Sequence, residues 1–250
     1  MRIAVAGATG TVGHHVVEAA ERAGHEVVRM SRSTGVDIVT GAGLAEALRG
    51  ADVVIDAASV AAASTEASIK FFGTSSATLL AAERAAGVSH HIALSIVGID
   101  GFRSGYYAGK VEQERVVMNG PVAWTILRAT QFHEFAAQLL GRTSVGPFAL
   151  MPVGRLQPVA ASEVAASLVH LAETNQLGRA ADLAGPREES LVEMARGYLA
   201  ATGTRRRVIP LRAPGEMMRG LRDGSRLPRD GSTLGTQTYA QWLEALPRPA

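Results

Sequence analysis

Tyr106 and Lys110 stand four residues apart in Tyr106-Tyr107-Ala108-Gly109-Lys110, a spacing that puts a phenol and an ammonium on one face of a helix. An ammonium beside a phenol lowers the phenol's pKa, which makes the pair an acid–base device. A carbonyl that accepts a hydride needs a proton as it becomes an alcohol, and such a tyrosine can supply it. Ser95, in Leu94-Ser95-Ile96-Val97-Gly98, ends the preceding strand pattern and can hold the carbonyl oxygen. Tyrosines four residues before a lysine also arise by chance on amphipathic helices, so the pair acquires meaning only from its scaffold.

The scaffold begins at Gly7-Ala8-Thr9-Gly10-Thr11-Val12-Gly13, which follows a strand pattern and opens a helix pattern. In that context a glycine fingerprint grips the pyrophosphate of a dinucleotide through helix N-terminal amides, so Gly7, Gly10, Thr11, Val12 and Gly13 are expected cofactor contacts. Thr9 and Thr11 add hydroxyls. A glycine turn that merely joins strand to helix is the minority alternative. An acidic residue at the end of the second strand would select NAD; the sequence reads Arg29-Met30-Ser31-Arg32-Ser33 instead. Arg32 can fork onto a 2'-phosphate and Ser31 can donate to it, which favours NADP(H) over NAD, although a solvated loop cation would look the same. Asp37 is a candidate for the adenine edge, and Ala57, Ala58 and Ser59 follow the strand expected beneath the adenosine; Asp37 and Asp56 can equally cap turns.

The elements that must position these groups alternate. Runs at 2–6, 26–31, 53–56, 90–95 and 124–128 read as strands, and helical patterns at 11–23 and 76–86 end at Gly24 and Gly87. Val53-Val54-Ile55 and Ile92-Ala93-Leu94 lack polar alternation, as strands covered on both faces do. The expected fold is α/β, a Rossmann-type doubly wound parallel sheet with a small C-terminal substrate-binding lobe. One NAD(P)-binding domain spans the 250 residues, with the cofactor core over 1–155 and a substrate-side lobe over 156–250. After Arg128 the rhythm changes to a helix at 132–140, extended pieces at 150–152 and 156–159, a helix at 162–174 and a capping box Ser190-Leu191-Val192-Glu193. The tail is rich in Gly, Pro and Arg, with Met217, Met218 and Trp242 as expected anchors.

Composition narrows the partners. With 25 basic and 23 acidic residues the net charge is +2, far from the dense positive field that nonspecific nucleic-acid binding requires. Cysteine is absent, which removes disulfides and thiolate sites. Apolar runs fall short of the roughly 20 residues that cross a bilayer, and Met1 leads directly into a strand rather than a signal peptide, so a cytoplasmic protein with no membrane partner is expected. The pairs His14-His15 and His90-His91 are poorly arranged to share a metal, because neighbours point apart on helix or strand; no metal is expected. Arg205-Arg206-Arg207 read as a solvated face before an acid-binding one. Phe132, Phe135, Met151, Met217 and Met218 can line an apolar site, although core packing explains them as well.

Taken together, Gly7 to Gly13, Ser95-Ile96-Val97-Gly98, Tyr106 to Lys110 and Thr125-Ile126-Leu127-Arg128 resemble the short-chain dehydrogenase/reductase superfamily in its atypical NmrA-like branch, over residues 1–165. The resemblance implies that Ser95 holds a carbonyl, Tyr106 donates a proton and Lys110 binds the cofactor ribose. It also implies that Ala129, just after Arg128, passes beside the nicotinamide and that His133 lies near the substrate. Two departures stand out: Lys70-Phe71-Phe72-Gly73-Thr74 occupies the stretch where relatives often carry a relay Asn, and the Ser95-to-Tyr106 interval is short. Tyr107, three residues before Lys110, is an alternative donor. The resulting expectation is an NADP(H)-dependent oxidoreductase reducing an apolar or aromatic carbonyl or quinone-like small molecule. A non-catalytic NADP(H)-binding sensor is the rival, a sugar-nucleotide epimerase the third reading, and a homo-oligomer remains open.

Overall fold

In a computed structural model, residues 1–61, 64–174, 176–212 and 214–247 are described, the side chains of Glu216 and Met217 excepted. The chain runs β1 Arg2–Ala6, α1 Gly13–Arg22, β2 Glu26–Met30, α2 Leu44–Ala47, β3 Val53–Asp56, α3 Thr65–Ala86 and β4 His90–Ile96. It continues α4 Gly105–Met118, β5 Trp124–Ala129, α5 Phe135–Thr143, β6 Ser144–Val145, β7 Phe148–Pro152, β8 Arg155–Leu156 and α6 Ala161–Thr174. The last elements are β9 Gly178–Arg179, β10 Leu183–Ala184, β11 Glu189–Ser190, α7 Leu191–Ala201, β12 Arg207–Leu211, α8 Glu216–Asp223, β13 Thr233–Leu234 and α9 Tyr239–Glu244.

The division of the chain is interleaved. Residues 1–128 and 161–180 form one unit, 129–160 and 181–250 the other, in place of a single boundary near 155. In the first unit β1 pairs in parallel with β2 and β3, β3 pairs with β4, β4 neighbours β5, and β9 pairs with β5. This is the expected parallel α/β sheet. Ala6 is level with both Met30 and Asp56, so β1, β2 and β3 end at one edge and release their loops there. Strand order reverses at β1, where open α/β sheets bind ligands. Ile3, Val5, Val54, Ile55 and Ile92 are completely buried, each stabilising the sheet by about 1.5–3 kcal/mol relative to exposure.

Helix α3 begins eleven residues earlier than the 76–86 pattern suggests, capped by Ser64, whose side chain accepts the Ala67 amide at 3.1 Å. Gly73 and a buried polar stripe of Ser68, Ser75, Ser76 and Glu83 hide its periodicity. Its neighbour α4 accounts for Ser68, which donates to the Tyr106 carbonyl at 3.1 Å, and β4 for Glu83, which pairs with His91. A Cβ on Gly109 would stand 2.3 Å from Ser68 Oγ and 2.7 Å from the Phe72 ring, so glycine lets the two helices close on each other.

In the second unit β7 is the centre of a three-stranded sheet, parallel to β12 and antiparallel to β6. Ala149, Met151 and Val208 turn one face of this sheet into a core with Leu140, Leu191, Met194 and Leu199. Helix α7 starts at the expected cap, Ser190, which accepts the Glu193 amide at 3.5 Å. Met218 and Trp242 pack on the core as anchors, Trp242 stacking on Tyr239 with ring centroids 5.4 Å apart. The Met217 side chain lies outside the described residues.

Candidate cofactor and catalytic site

The turn after β1 needs its glycines for different reasons. Gly7 has φ +75°, and a Cβ there would meet Ala58 Cα at 2.8 Å, so this glycine lets the loops leaving β1 and β3 touch. A Cβ on Gly13 would lie 2.0 Å from the Gly7 carbonyl oxygen, so helix α1 can pack on the turn only without one. Gly10 closes the turn, its amide donating to the Gly7 carbonyl at 2.9 Å, and a Cβ there would crowd the same oxygen at 3.2 Å. Among the described residues the amides of Thr11, Val12 and Gly13 have no protein acceptor, and the first turn of α1 carries no acidic residue. Unpaired amides at the start of a ten-residue helix suit a pyrophosphate in hydrogen bonding and in charge, so the residues present fit a dinucleotide.

Beyond β2, Ser31 caps a short 3-10 turn over Arg32–Thr34, and its hydroxyl lies 2.8 Å from Ser33 Oγ. Arg32 is exposed and makes no ion pair among the described residues, which leaves its guanidinium free for an anion. Asp37 is engaged in its own loop: its Oδ1 accepts the amides of Val39 at 2.8 Å and Thr40 at 3.3 Å, a turn-capping role. Asp56 is buried, accepting the Ala58 amide at 2.9 Å and Gln113 Nε2 at 2.8 Å. Ala58 packs against Gly7, Ala57 donates to the Ala6 carbonyl at 3.1 Å, and Ser59 is exposed.

Ser95, Tyr106 and Lys110 do not form one hydrogen-bonded triad. The Tyr106 hydroxyl lies 2.9 Å from Ser59 Oγ, while Ser95 Oγ donates to Glu114 at 2.6 Å. Lys110 is buried, donates to the Leu94 carbonyl at 2.6 Å and to Gln113 Oε1, and sits 4.9 Å from the centroid of the Phe72 ring. Burial pulls its pKa down to about 8 against the opposing charges of Asp56 and Glu114. The lysine therefore does not lower the phenol's pKa as its spacing suggested. Burial raises the Tyr106 pKa, the Ser59 hydrogen bond opposes this, and Asp56 adds to the rise. The result is a phenol that keeps its proton. Tyr107 packs on Phe102, with ring centroids 5.0 Å apart.

Glu114 gathers Arg128, Arg179 and Ser95 around one buried carboxylate, and Arg128 also forks onto Asp100 with both contacts at 2.8 Å. Burial works against the charge on Glu114, yet these donors hold its carboxyl below the usual range. Neither Gln113 nor Glu114 was singled out by sequence. Their signal was available: positions three and four after Lys110 share its helix face.

In the second unit Ala129 is buried, its backbone paired with Leu183, and Phe132 forms an isolated bridge with Val159. His133 is fully buried beside Tyr239 and Trp242, with Nε2 3.2 Å from the Gln237 carbonyl. Met151 is a fully buried core side chain. The two histidine pairs behave differently. His14 and His15 rings approach to 3.9 Å between centroids rather than pointing apart, whereas His90 reaches Thr125 and His91 reaches Glu83. No cluster of three His, Cys, Asp or Glu suited to a metal occurs among the described residues.

Known structures share this architecture. A short-chain dehydrogenase/reductase superfamily protein from Agrobacterium tumefaciens with bound NAD superposes at TM-score 0.70 and 17% identity, covering 98% of this chain and 95% of that one. The NADPH complex of an NADPH-dependent quinone oxidoreductase from Escherichia coli matches at TM-score 0.67 and 18% identity, covering 97% and 98%. UDP-glucuronic acid 4-epimerase from Bacillus cereus, with NAD and UDP-glucuronic acid, matches at TM-score 0.71 and 17% identity, covering 98% and 97%. At these identities the likeness is one of fold. No curated protein sequence matches the chain. The family model for NAD(P)H-binding proteins matches residues 7–175, from the first glycine of the turn to the end of α6, and the chain belongs to that NAD(P)H-binding family.

Proposed function

We propose that the protein is an NADP(H)-dependent oxidoreductase that reduces a carbonyl or quinone-like small molecule, with Tyr106 as proton donor. The observation that carries this reading is the Tyr106 hydroxyl, kept protonated by burial and held by Ser59, which leaves the same sheet edge as the glycine turn. The bound cofactor supplies the hydride. Thr11, Val12 and Gly13 offer their amides to its pyrophosphate, and Arg32 with Ser31 offers a fork and a hydroxyl to a 2'-phosphate. As the substrate oxygen gains electron density, Tyr106 Oη gives it a proton, and exposed Ser59 passes a replacement from solvent. Lys110, bound to the Leu94 carbonyl and Gln113, steadies the helix that carries Tyr106.

Two substitutions test the halves of the proposal separately. Arg32→Ala is expected to weaken NADPH binding about tenfold to a hundredfold and leave NADH nearly unchanged, measured by fluorescence titration. Equal losses for both nucleotides would remove the NADP preference. Tyr106→Phe is expected to lower kcat about a hundredfold to ten-thousandfold without changing NADPH affinity, on whichever ketone, aldehyde or quinone a panel screen identifies. Undiminished turnover overturns the donor role.

One observation favours a second reading, a redox sensor that binds the nucleotide without turnover: Ser95 is committed to Glu114 and Lys110 to Leu94 and Gln113. A sensor binds NADPH and NADP+ with different affinity and oxidises no NADPH with any member of the panel.

A further inference from the structure

The second unit carries an apolar surface that the cofactor chemistry does not use. In β7 and β12 the residues facing the core are Ala149, Met151 and Val208; the register pairs Phe148 with Arg207 and Leu150 with Ile209 on the opposite face. Val145 of β6 is level with Phe148, and Leu211 follows Ile209 on that face. Val145, Phe148, Leu150, Ile209 and Leu211 are between 38% and 72% exposed, five of the eleven exposed large apolar side chains among the described residues. An apolar patch of a few hundred Å² on a protein surface is often functional.

Charge singles out what covers it. Residues 135–152 and 191–212, which build this sheet and the helices α5 and α7 beside it, contain six arginines and one acid, Glu193. Arg196, Leu199, Arg205, Arg206, Arg207 and Val208 line a shallow cleft between α7 and the start of β12, and Arg207 also starts the exposed face beside Phe148. Arg196 is held by Glu193, while Arg205, Arg206 and Arg207 make no ion pair among the described residues. Arg207 on the apolar face, with Arg205 and Arg206 leading into it, matches phosphate headgroups bordering acyl chains. A second copy fits worse: a stable pair buries about 800 Å² on each partner, and face-to-face pairing would set two arginine-edged surfaces together. An added peptide strand fits worse too, because β12 is an edge strand in which Pro210 removes an amide.

We propose that this face docks on an anionic phospholipid surface, with Phe148, Leu150 and Ile209 entering the headgroup boundary and Arg205, Arg206 and Arg207 on lipid phosphates. It adds surface attachment to a chain in which no described helix is long and apolar enough to cross a membrane. It also departs from the expectation of no membrane partner, which rested on run length; the patch is assembled from alternate residues of separate strands.

The test is flotation of the full chain with phosphatidylcholine vesicles, with and without phosphatidylglycerol, across a salt series. Binding is expected with phosphatidylglycerol only, falling as salt rises. Arg205→Gln and Arg206→Gln should each cost about fivefold in vesicle affinity. The double variant Phe148→Ser with Ile209→Ser should abolish flotation; should it melt early, the two arginine variants decide. No binding to either vesicle, equal binding to both, or indifference to the arginine variants overturns the proposal. A dimer in sedimentation that Phe148→Ser dissociates, without vesicle binding, assigns the face to a second copy and also overturns it.

Discussion

The parallel sheet of the first unit and the three-stranded sheet of the second treat polarity in opposite ways. In the first unit β4 is buried along His90 to Ser95, and its polar side chains find partners inside: His90 with Thr125, His91 with Glu83, Ser95 with Glu114. In the second, β7 buries Ala149 and Met151 and β12 buries Val208, while Phe148, Leu150, Ile209 and Leu211 stand in solvent. A sheet covered on both faces must find partners for most of the polar groups it encloses, whereas a sheet covered on one face leaves the other free for recognition. The first arrangement makes charges structural. The second makes apolar side chains available.

The contrast is broken most directly at Glu83 and His91, whose side chains are both 0% exposed and 2.8 Å apart. Burial opposes the charge on His91, but the charge and hydrogen bond of Glu83, aided by Asp56, raise its pKa above the ordinary 6.5. Removing one partner of such a pair costs about 3–5 kcal/mol, so Glu83→Gln should lower the urea midpoint strongly. Because the folded pKa is the raised one, the pair's contribution is full below pH 6.5 and fades as pH rises through the folded value. The gap between wild type and variant should therefore be wider in acid. A gap independent of pH would mean that the pair is held by the hydrogen bond without the charge.

Lys110 gives a smaller effect of opposite sign. Its folded pKa of about 8 lies below the ordinary 10.5, so between those values the unfolded chain binds the extra proton. Stability should climb through that window by at most about 1.4 kcal/mol per pH unit, and Lys110→Met should flatten the climb. A variant with the wild-type slope would assign the rise to another group. Smallest of all, Ile209→Thr on the open face should change folding stability by no more than about 0.5 kcal/mol, measured by denaturant midpoint. A loss of several kcal/mol would show that the face is covered in solution.

Much of the first unit was legible in sequence because its signals are local. Strands 2–6 and 53–56 were placed to the residue, and Gly24 and Gly87 close their helices with φ +80° and +77°. The glycine turn was legible for the same reason, since strand, turn and helix are contiguous. The early half of α3 was not, because its buried face is made of small polar residues such as Ser68, which only the approach of α4 explains. The catalytic grouping was legible in its residues but not in its connections. Spacing places Tyr106 and Lys110 on one face, yet Ser59, 47 residues from Tyr106, is the partner of the phenol, and the Leu94 carbonyl is a partner of the ammonium. Backbone carbonyls and loop hydroxyls carry no motif.

The interleaving of the two units bears on the order in which they are completed during synthesis. When residue 128 has left the ribosome, the first unit still lacks α6, which packs against α1 and β4, and β9, which extends the sheet at β5. Those pieces arrive only after residues 129–160 have emerged and must wait for their own partners at 181–250. N-terminal portions generally fold first as a chain emerges, but here the outer side of β5 stays open until residues 178–179 appear. A nascent chain halted between 128 and 160 would expose a bare parallel edge, and that interval is where a chaperone would be most needed.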